Sequence, residues 1–289
     1  MENFLQDLVR AQVAEELDVR VLVHNHQGHK TVNDRDCGVD IFRVGTLGNL
    51  FFTPICPSFR SVLNRQLIKY APDIIHLHMP NPSALWLMSL PSAKNIPWVL
   101  HWHADVVSSD LDWRVKVAYR FYRPMEQALL KRSSSVIATS PPYLESSKPL
   151  EKWRDKCSVI PLGMGRHRLL PSSPAEADDW EGAGLRVLAI GRLTYYKGFE
   201  YLIRAVAPLA SVWVNIVGCG EKQRELEQLL AVHGLEDRVK LMGKQPDGVL
   251  SRLLQSCDCL CLPSVERTEA FGMVLLEAAQ FSKPGVVSD

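Results

Sequence analysis

The sequence has 289 residues, which is longer than one ordinary domain, so two domains are expected. Hydrophobic residues make up 46% and charged residues 22%, the balance of a globular protein with a sizeable core. Lysine and arginine total 33 against 32 acidic residues, and the formal net charge is +1. This near balance excludes a protein-wide positive field for nucleic acid, so any anion site must be local.

Cysteine usage and hydropathy predict the cellular compartment. The seven cysteines have no regular spacing and their number is odd, which is typical of reduced thiols in the cytosol. No apolar run approaches the roughly 20 residues of a membrane-spanning helix. We expect a cytoplasmic protein and leave open a peripheral location at the inner face of the membrane. Cys257, Cys259 and Cys261 are predicted to share one strand face as small buried thiols rather than as a cluster site.

Short apolar runs alternate with helical patterns along the chain. The chain opens in an amphipathic helix whose apolar stripe includes Phe4, Leu5 and Leu8. Most later runs are continuous, as in parallel strands covered on both faces. This alternation predicts an α/β protein with doubly wound, Rossmann-like domains. The predicted strands are Val19–His24, Ile74–His78, Trp98–His103, Ser135–Ala138, Ser158–Ile160, Arg186–Ile190, Ser211–Val217, Val239–Met242, Cys259–Leu262 and Gly285–Ser288; predicted helices include Phe199–Leu209, Glu221–His233, Gly248–Gln255 and Phe271–Phe281.

A stretch rich in proline, glycine and serine between Gly163 and Gly184 predicts a linker. We expect one domain at residues 1–165, the linker at 166–184 and a second domain at 185–289, with the two domains facing each other across a cleft. No predicted strand precedes the opening helix, and nothing follows the last strand. A fragment that lacks the first strand and the closing end is therefore expected.

A basic segment, Gly191-Arg-Leu-Thr-Tyr-Tyr-Lys197-Gly198, follows a predicted strand directly. Arg192 offers a planar fork for phosphate oxygens, and Lys197 adds a mobile point charge. The alternative is a surface arginine and lysine that flank the start of a helix. Two glycine features at the same sheet edge favour a nucleotide: Gly243-Lys244, and Gly218-Cys219-Gly220, which on its own is also read as a tight turn.

Two carboxylates, Glu269 and Glu277, lie eight positions apart on either side of a predicted helix start. The first amides of that helix, at Phe271, Gly272 and Met273, have no partners within the helix and suit a diphosphate or a sugar oxygen. A carboxylate can accept hydrogen bonds from two neighbouring hydroxyls, so each glutamate could hold a vicinal diol. The alternatives are a first-turn acid for Glu269 and an exposed helix face for Glu277.

Together these motifs resemble the retaining GT-B glycosyltransferases of group 1, also called glycosyltransferase family 4. The family pattern Glu-x7-Glu matches Glu269 and Glu277, and its phosphate-binding Arg and Lys match Arg192 and Lys197. Ile160-Pro-Leu-Gly163 and Ala138-Thr-Ser140 are similar to the segments that lead to the family's linker. The resemblance covers nearly the whole chain. The sequence is most similar to bacterial transferases of mannose or rhamnose that build surface polysaccharide.

The resemblance implies a role for each matched residue. The second domain binds the sugar nucleotide, with Glu269 on the sugar-ring hydroxyls and Glu277 on the ribose. The first domain binds the acceptor, and His103, in His101-Trp-His-Ala-Asp105, reaches the reacting sugar. The implied reaction transfers a hexose from a nucleotide-diphosphate sugar to a saccharide or lipid-linked saccharide with retention. No aspartate pair with metal spacing stands near the strand ends, so no metal cofactor is expected. Variants Glu269→Ala and Lys197→Ala are expected to abolish transfer and leave the thermal transition nearly unchanged.

Two other classes of function stay open. Histidine pairs end three predicted strands, and alternation places both members of a pair on one face, so a metal-dependent hydrolase is one alternative. A cleft lined by polar side chains explains the same pairs without a metal, and no carboxylate ligand accompanies them. A non-catalytic fragment that binds sugar nucleotides is the other alternative. The three pairs are His24/His26, His76/His78 and His101/His103.

A helix predicted near Trp113–Arg132 carries apolar and basic residues largely on different sides. This pattern fits contact with an anionic membrane that carries a lipid-linked acceptor. The alternative is the solvated face of a helix packed on the core. The apolar residues are Val117, Phe121, Met125 and Leu129, and the basic ones are Lys116, Arg120, Arg123 and Lys131.

Overall fold

The structure is a computed structural model that describes residues 2–26, 28–50, 53–106, 113–165, 169, 180–266, 269 and 271–288. It divides into two compact units, Met1–Gly163 and Met164–Asp289. Most of the predicted linker at 166–184 lies outside the described residues. None of the helices in the described part of the chain is long and apolar enough to cross a lipid bilayer.

The described residues of the first unit form three sheets. A mixed sheet has the order β1-β3-β2, a parallel sheet has the order β6-β7-β8-β9, and β4 and β5 form a short antiparallel pair. Its elements are α1 (Glu2–Ala14), β1 (Arg20–Asn25), β2 (Val32–Asp36), β3 (Val39–Gly45), β4 (Asn49–Leu50), β5 (Thr53–Pro54), α2 (Phe59–Tyr70), β6 (Ile75–Met79), β7 (Trp98–Trp102), α3 (Trp113–Arg132), β8 (Ser135–Ala138), α4 (Pro141–Ser146) and β9 (Cys157–Val159).

Strand β7 lies inside the parallel sheet of the first unit and is covered on both faces. Its side chains alternate between the two faces, and Trp98, Leu100 and Trp102 are fully buried. His101 lies directly opposite His78 of β6 in the register of the two strands. The parallel register thus brings histidines of neighbouring strands to one face of this sheet.

The second unit is built on one parallel sheet with the order β12-β11-β10-β13-β14. Apolar clusters cover both faces of this sheet, which explains why its strands are continuous apolar runs. Helix α5 buries residues 199, 202, 203 and 206, the spacing of a single helix face. The elements are β10 (Leu185–Ile190), α5 (Phe199–Val206), β11 (Val212–Val217), α6 (Gln223–His233), β12 (Val239–Gly243), α7 (Asp247–Ser256), β13 (Cys259–Leu262), α8 (Met273–Gln280) and β14 (Gly285–Val287).

One expectation about the cysteines is wrong. Cys257 does not share a face with the other two, because it follows the end of α7 before β13 begins. Its side chain packs in the cluster on one side of the sheet, whereas Cys261 and Cys259 pack in the cluster on the other. All three thiols are free, and burial raises the pKa of Cys257 and of Cys261 to about 11. Cys257 and Cys261 are therefore neutral buried thiols, and Cys259 is partly buried.

Candidate active site

The carboxyl ends of three neighbouring strands lie in a row in the second unit. Gly191, the first residue after β10, donates its amide hydrogen to the carbonyl of Val217 at 2.9 Å. Gly218, the first residue after β11, donates to the carbonyl of Gly243, which ends β12, also at 2.9 Å. Ligands of open α/β sheets bind at this edge, so the loops that follow these strands form the candidate donor site.

Positions 218 and 220 require glycine because the backbone of the loop after β10 packs closely against them. A Cβ on Gly218 would lie 1.8 Å from the carbonyl oxygen of Gly191, and one on Gly220 would lie 2.2 Å from that of Leu193. Gly218 also has a φ of 145°, which other residues rarely adopt. Glycine at these two positions lets the segment pack closely against the loop after β10.

Lys197 is folded back over the start of its own loop. It ends a 3₁₀ turn at Tyr195–Lys197, and Gly198 then leaves that turn with a left-handed φ of 64°. A Cβ on Gly191 would lie 3.2 Å from the Lys197 ammonium nitrogen, so the lysine side chain crosses the backbone where the strand ends. Lys197 therefore lies at the sheet edge and is buried, which rules out the interpretation of a freely solvated surface lysine.

The side chains of Lys197 and Glu269 form an ion pair between two loops. They are 10% and 19% exposed, so both charges are largely withdrawn from water. The hydroxyl of Ser264 donates to the same carboxylate at 3.4 Å, and the amide of Val265 donates to the carbonyl of Tyr196 at 2.9 Å. A backbone hydrogen bond and an ion pair thus join the loops that follow β10 and β13. A buried cation of this kind requires a nearby anion.

The other predicted donor-site cations are exposed. Arg192 follows β10 directly, and Lys244 follows Gly243 at the end of β12. Gly243 has a φ of 66°, which suits glycine at this sharp exit from the strand. Strands β12 and β13 are three places apart in the sheet, so the edge from Lys244 to the loop of Glu269 spans about 14 Å. Solvated basic side chains thus lie along the same edge as the buried pair.

Helix α8 begins at Met273, two residues later than predicted. Gly272 stands at its N-cap with a left-handed φ of 69°, and a Cβ there would lie 2.9 Å from Leu262 of β13. The free amides of the helix therefore start after Phe271. Glu277 is 5% exposed, so the exposed-face interpretation of this glutamate is wrong.

Two polar residues in these loops were not singled out from the sequence. Thr194 is buried between Arg192 and Lys197, and its hydroxyl has no hydrogen-bond partner among the described residues. Ser264 donates to Glu269, as described above. Both residues follow apolar strands within four positions of the strand end and stand near predicted site residues. Their small hydroxyls are too common in loops to be distinguished without coordinates.

His103, predicted from the resemblance, lies in the first unit. Its Nε2 is 2.8 Å from Nδ1 of His78, and the ring of Phe4 stands edge-on to it at 5.4 Å. Burial, with the neighbouring His101, lowers the pKa of His103 to about 3. Burial likewise lowers the pKa of His101 to about 4 and that of His78 to about 2. His103 is therefore a neutral imidazole at pH 7. His26 is exposed, and His24 bonds instead to Ser83 at 2.8 Å.

Two known protein families match the sequence of this chain. Residues 1–163 match the family described as glycosyl transferase 4-like domain, and residues 179–289 match glycosyl transferases group 1. The chain belongs to these glycosyltransferases. Its sequence is 33% identical over 230 residues to the O-antigen chain mannosyltransferase C of Escherichia coli, which covers 78% of this chain and 59% of that protein.

A second relative is the D-rhamnosyltransferase WbpZ of Pseudomonas aeruginosa. It is 32% identical over 219 residues, which are 75% of this glycosyltransferase chain and 55% of WbpZ. The chain thus spans a little more than half the length of these two relatives.

Solved structures establish the fold class. The sucrose-phosphate synthase of Thermosynechococcus elongatus superposes with a TM-score of 0.78 at 22% identity, over 98% of this chain and 74% of that one. HepE of Anabaena in complex with UDP-glucose superposes with a TM-score of 0.61 at 23% identity, over 86% and 66%. The glycosyltransferase chain therefore has the predicted α/β, GT-B class of fold.

Proposed function

We propose that this protein transfers a hexose from a nucleotide-diphosphate sugar to a hydroxyl of a saccharide or lipid-linked saccharide, with retention, as a family 4 enzyme. A hexose of the mannose or rhamnose type is favoured because two relatives carry those names. The observation that carries the proposal is the buried pair of Lys197 and Glu269 at the carboxyl edge of a parallel sheet. A cation placed there can meet a diphosphate while its carboxylate partner meets the sugar.

The leaving group in this reaction is a nucleoside diphosphate. The bond from the anomeric carbon to the β-phosphate oxygen breaks, and a bond to the acceptor oxygen forms. The acceptor attacks the face of the sugar from which the phosphate departs, so the configuration is retained. The acceptor proton passes to an oxygen of the departing phosphate. Lys197, Arg192 and the free amides at the start of α8 stabilise the charge that develops on this phosphate. Because these groups supply positive charge, the proposed reaction needs no metal cofactor.

Each remaining predicted residue takes one role in the proposal. Glu269 accepts hydrogen bonds from sugar-ring hydroxyls, and Glu277 accepts them from the ribose. Gly243 lets the backbone turn beside the nucleotide, and Lys244 adds charge at the far end of the edge. His103, which the family resemblance assigns to the reacting sugar, is a neutral imidazole.

We expect one nucleoside diphosphate and its matching sugar nucleotide to raise the melting temperature of the protein. At a ligand concentration of about 100 times Kd, binding adds roughly 2.7 kcal/mol to the unfolding free energy. The measurement is a thermal-shift series with GDP, UDP, dTDP and their mannose, glucose and rhamnose conjugates. Lys197→Met should remove the shift, whereas Lys222→Met, which removes the exposed pair with Glu225, should keep it.

The outcomes of this series separate the remaining possibilities. A sugar nucleotide that binds without any turnover in the presence of saccharide acceptors identifies a binding protein. A panel in which no nucleotide shifts the melting temperature contradicts the donor site itself.

An exposed apolar face on α3 favours a peripheral membrane location for the proposed acceptor side. Val117, Phe121 and Met125 are 50%, 71% and 42% exposed, and they follow one another at a spacing of four. Arg120 and Arg123 on the same helix are also exposed. Three of the four apolar residues, which the alternative interpretation would pack on the core, are therefore exposed. We propose that this face lies on an anionic lipid surface, with the arginines at the headgroups.

Phe121→Ser is expected to weaken binding to vesicles on the order of tenfold or more. The phenylalanine side chain loses about 1.5–3 kcal/mol of burial in the interface when it is replaced. Co-sedimentation with vesicles of phosphatidylglycerol and phosphatidylcholine measures the effect at low and at high salt. Tyr201→Ser, at an exposed aromatic of α5, is the control. An equal loss of vesicle binding in both variants contradicts the proposal. So does the absence of vesicle binding by the unmodified protein.

A further inference from the structure

Three histidines of the first unit form a cluster on one face of neighbouring parallel strands. His76 and His78 alternate along β6, and His101 stands opposite His78 on β7. One ring nitrogen of each residue lies within 4.8 Å of one nitrogen of the other two. These three residues are called the histidine cluster below.

The rings of the cluster are packed against one another. The ring centroids of His76 and His78 are 4.5 Å apart, those of His78 and His101 5.2 Å, and those of His76 and His101 5.5 Å. A tetrahedral zinc ion with bonds of about 2.0–2.1 Å holds its ligand nitrogens about 3.4 Å apart. Nitrogens at the 4.8 Å limit would therefore approach by roughly 1.4 Å, with ring rotations that point their lone pairs at one centre.

The cluster contains buried nitrogens whose hydrogen-bonding capacity is not used. His101 is 4% exposed, and neither of its ring nitrogens has a hydrogen-bond partner among the described residues. Nε2 of His76 is buried and, within the same described part of the chain, also without a partner. Buried polar atoms in proteins are nearly always paired, so these nitrogens are available to bind a ligand.

The chemistry of the donors decides which ligand fits. Imidazole nitrogens suit zinc, copper, nickel and cobalt, whereas magnesium and calcium prefer oxygen. The group consists of imidazoles alone, so it brings no negative charge to the ion. His103 bonds Nδ1 of His78 through its Nε2 at 2.8 Å and so fixes that ring, as outer partners of metal-bound histidines do.

We propose that the histidine cluster binds one divalent transition-metal ion of the zinc class through one ring nitrogen each of His76, His78 and His101. The fourth position is open to water. The ion ties β6 to β7 in the first unit and takes no part in the transfer chemistry assigned to the second. The proposal does not rest on the donor site of the second unit, and its one link to the proposed transfer is His103, which is bonded to His78.

The test is a titration of untagged, EDTA-treated protein with Co²⁺ and with Zn²⁺. Exposed thiols compete for both ions, so the protein carries Cys37→Ser and Cys219→Ser. We expect one ion per chain, a Co²⁺ absorption spectrum without thiolate charge transfer, and a higher melting temperature with Zn²⁺ but not with Mg²⁺. His76→Gln should weaken Co²⁺ binding on the order of 100-fold or more, because a lost ligand costs at least as much as a lost outer partner.

Controls separate the site from adventitious binding. His233→Gln changes an exposed histidine at the end of α6 and should leave the stoichiometry and affinity unchanged. His101→Gln should behave like His76→Gln, and circular dichroism of both variants shows whether the fold persists. Because His76 is less buried than His101, its variant keeps the test valid if His101→Gln unfolds. No one-to-one binding, or equal affinity in His76→Gln and His233→Gln, overturns the proposal.

Discussion

Lys197→Met is expected to lower kcat/KM for sugar transfer by two to three decades, roughly 3–4 kcal/mol of transition-state stabilisation. The Lys197 ammonium is held at the end of β10 by Glu269 and has little contact with water. In such a site a fixed cation acts on the departing phosphate without reorganisation. The loss should appear in KM as well as in kcat, because Lys197 contributes to donor binding and the charge on the phosphate grows further during bond cleavage. Initial rates with the donor identified by thermal shift provide the measurement.

Burial of the ion pair between Lys197 and Glu269 changes the stability expected for variants at these two positions. From the sequence, single substitutions at Lys197 or Glu269 were expected to leave the thermal transition nearly unchanged. Because both side chains are largely buried, a single substitution leaves one charge without its partner, and breaking such a pair costs about 3–5 kcal/mol. The double variant Lys197→Met/Glu269→Gln removes both charges and should recover most of that stability without activity. A stable double variant with normal turnover contradicts the assigned role.

The sheet of the second unit could be predicted closely from the sequence. Its strands are continuous apolar runs because the sheet is covered on both faces, and that pattern is visible without coordinates. Strands β2 and β3 of the first unit are both missing from the predicted strands. Strand β2 is the more exposed of the two. Its sequence, Val-Asn-Asp-Arg-Asp, is polar and mostly exposed, and the tight turn to β3 uses left-handed Cys37 and Gly38. A solvated strand with little apolar content gives no periodic signal.

The candidate site could be predicted in part. Charge type and spacing indicated Lys197 and Glu269, and the structure brings their side chains together. The direction in which Lys197 folds is set by the space above Gly191, which depends on a tertiary approach rather than on spacing. The burial of Glu277 likewise depends on how α8 packs on the sheet. Sequence patterns indicate which residues meet at a sheet edge, and packing decides which of them are withdrawn from water.

A buried carboxyl on α3 predicts a pH-dependent stability. Glu126 is fully buried, and only one of its oxygens is bonded among the described residues, by the hydroxyl of Tyr119 at 3.2 Å. Burial, reinforced by the charge of Asp105 and opposed by the hydrogen bond from Tyr119 and by the neighbouring Gln127 and Arg123, raises the pKa of Glu126 from 4.5 to about 7. The folded protein therefore holds a proton that the unfolded chain releases at lower pH.

This difference in proton binding determines whether the unfolding free energy rises or falls with pH. The contribution of Glu126 to the unfolding free energy is fully present below pH 4.5 and is lost as the pH rises to about 7. A difference of about 2.5 pKa units corresponds to roughly 3 kcal/mol. Relative to Glu126→Gln, the unmodified protein should lose this amount between pH 4.5 and 7 and no more above pH 7. Urea denaturation at pH 5, 6, 7 and 8 measures the difference.

Comparison with the variant isolates this one group, because every other carboxyl and histidine titrates in both proteins and cancels from the difference. Glu151→Gln, at an exposed acid of the same unit, controls for the removal of a charge alone and should give a curve parallel to that of the unmodified protein. If the difference for Glu126→Gln is also constant with pH, then the carboxyl is ionised in the folded state throughout. Its neutralisation inside α3 is then contradicted.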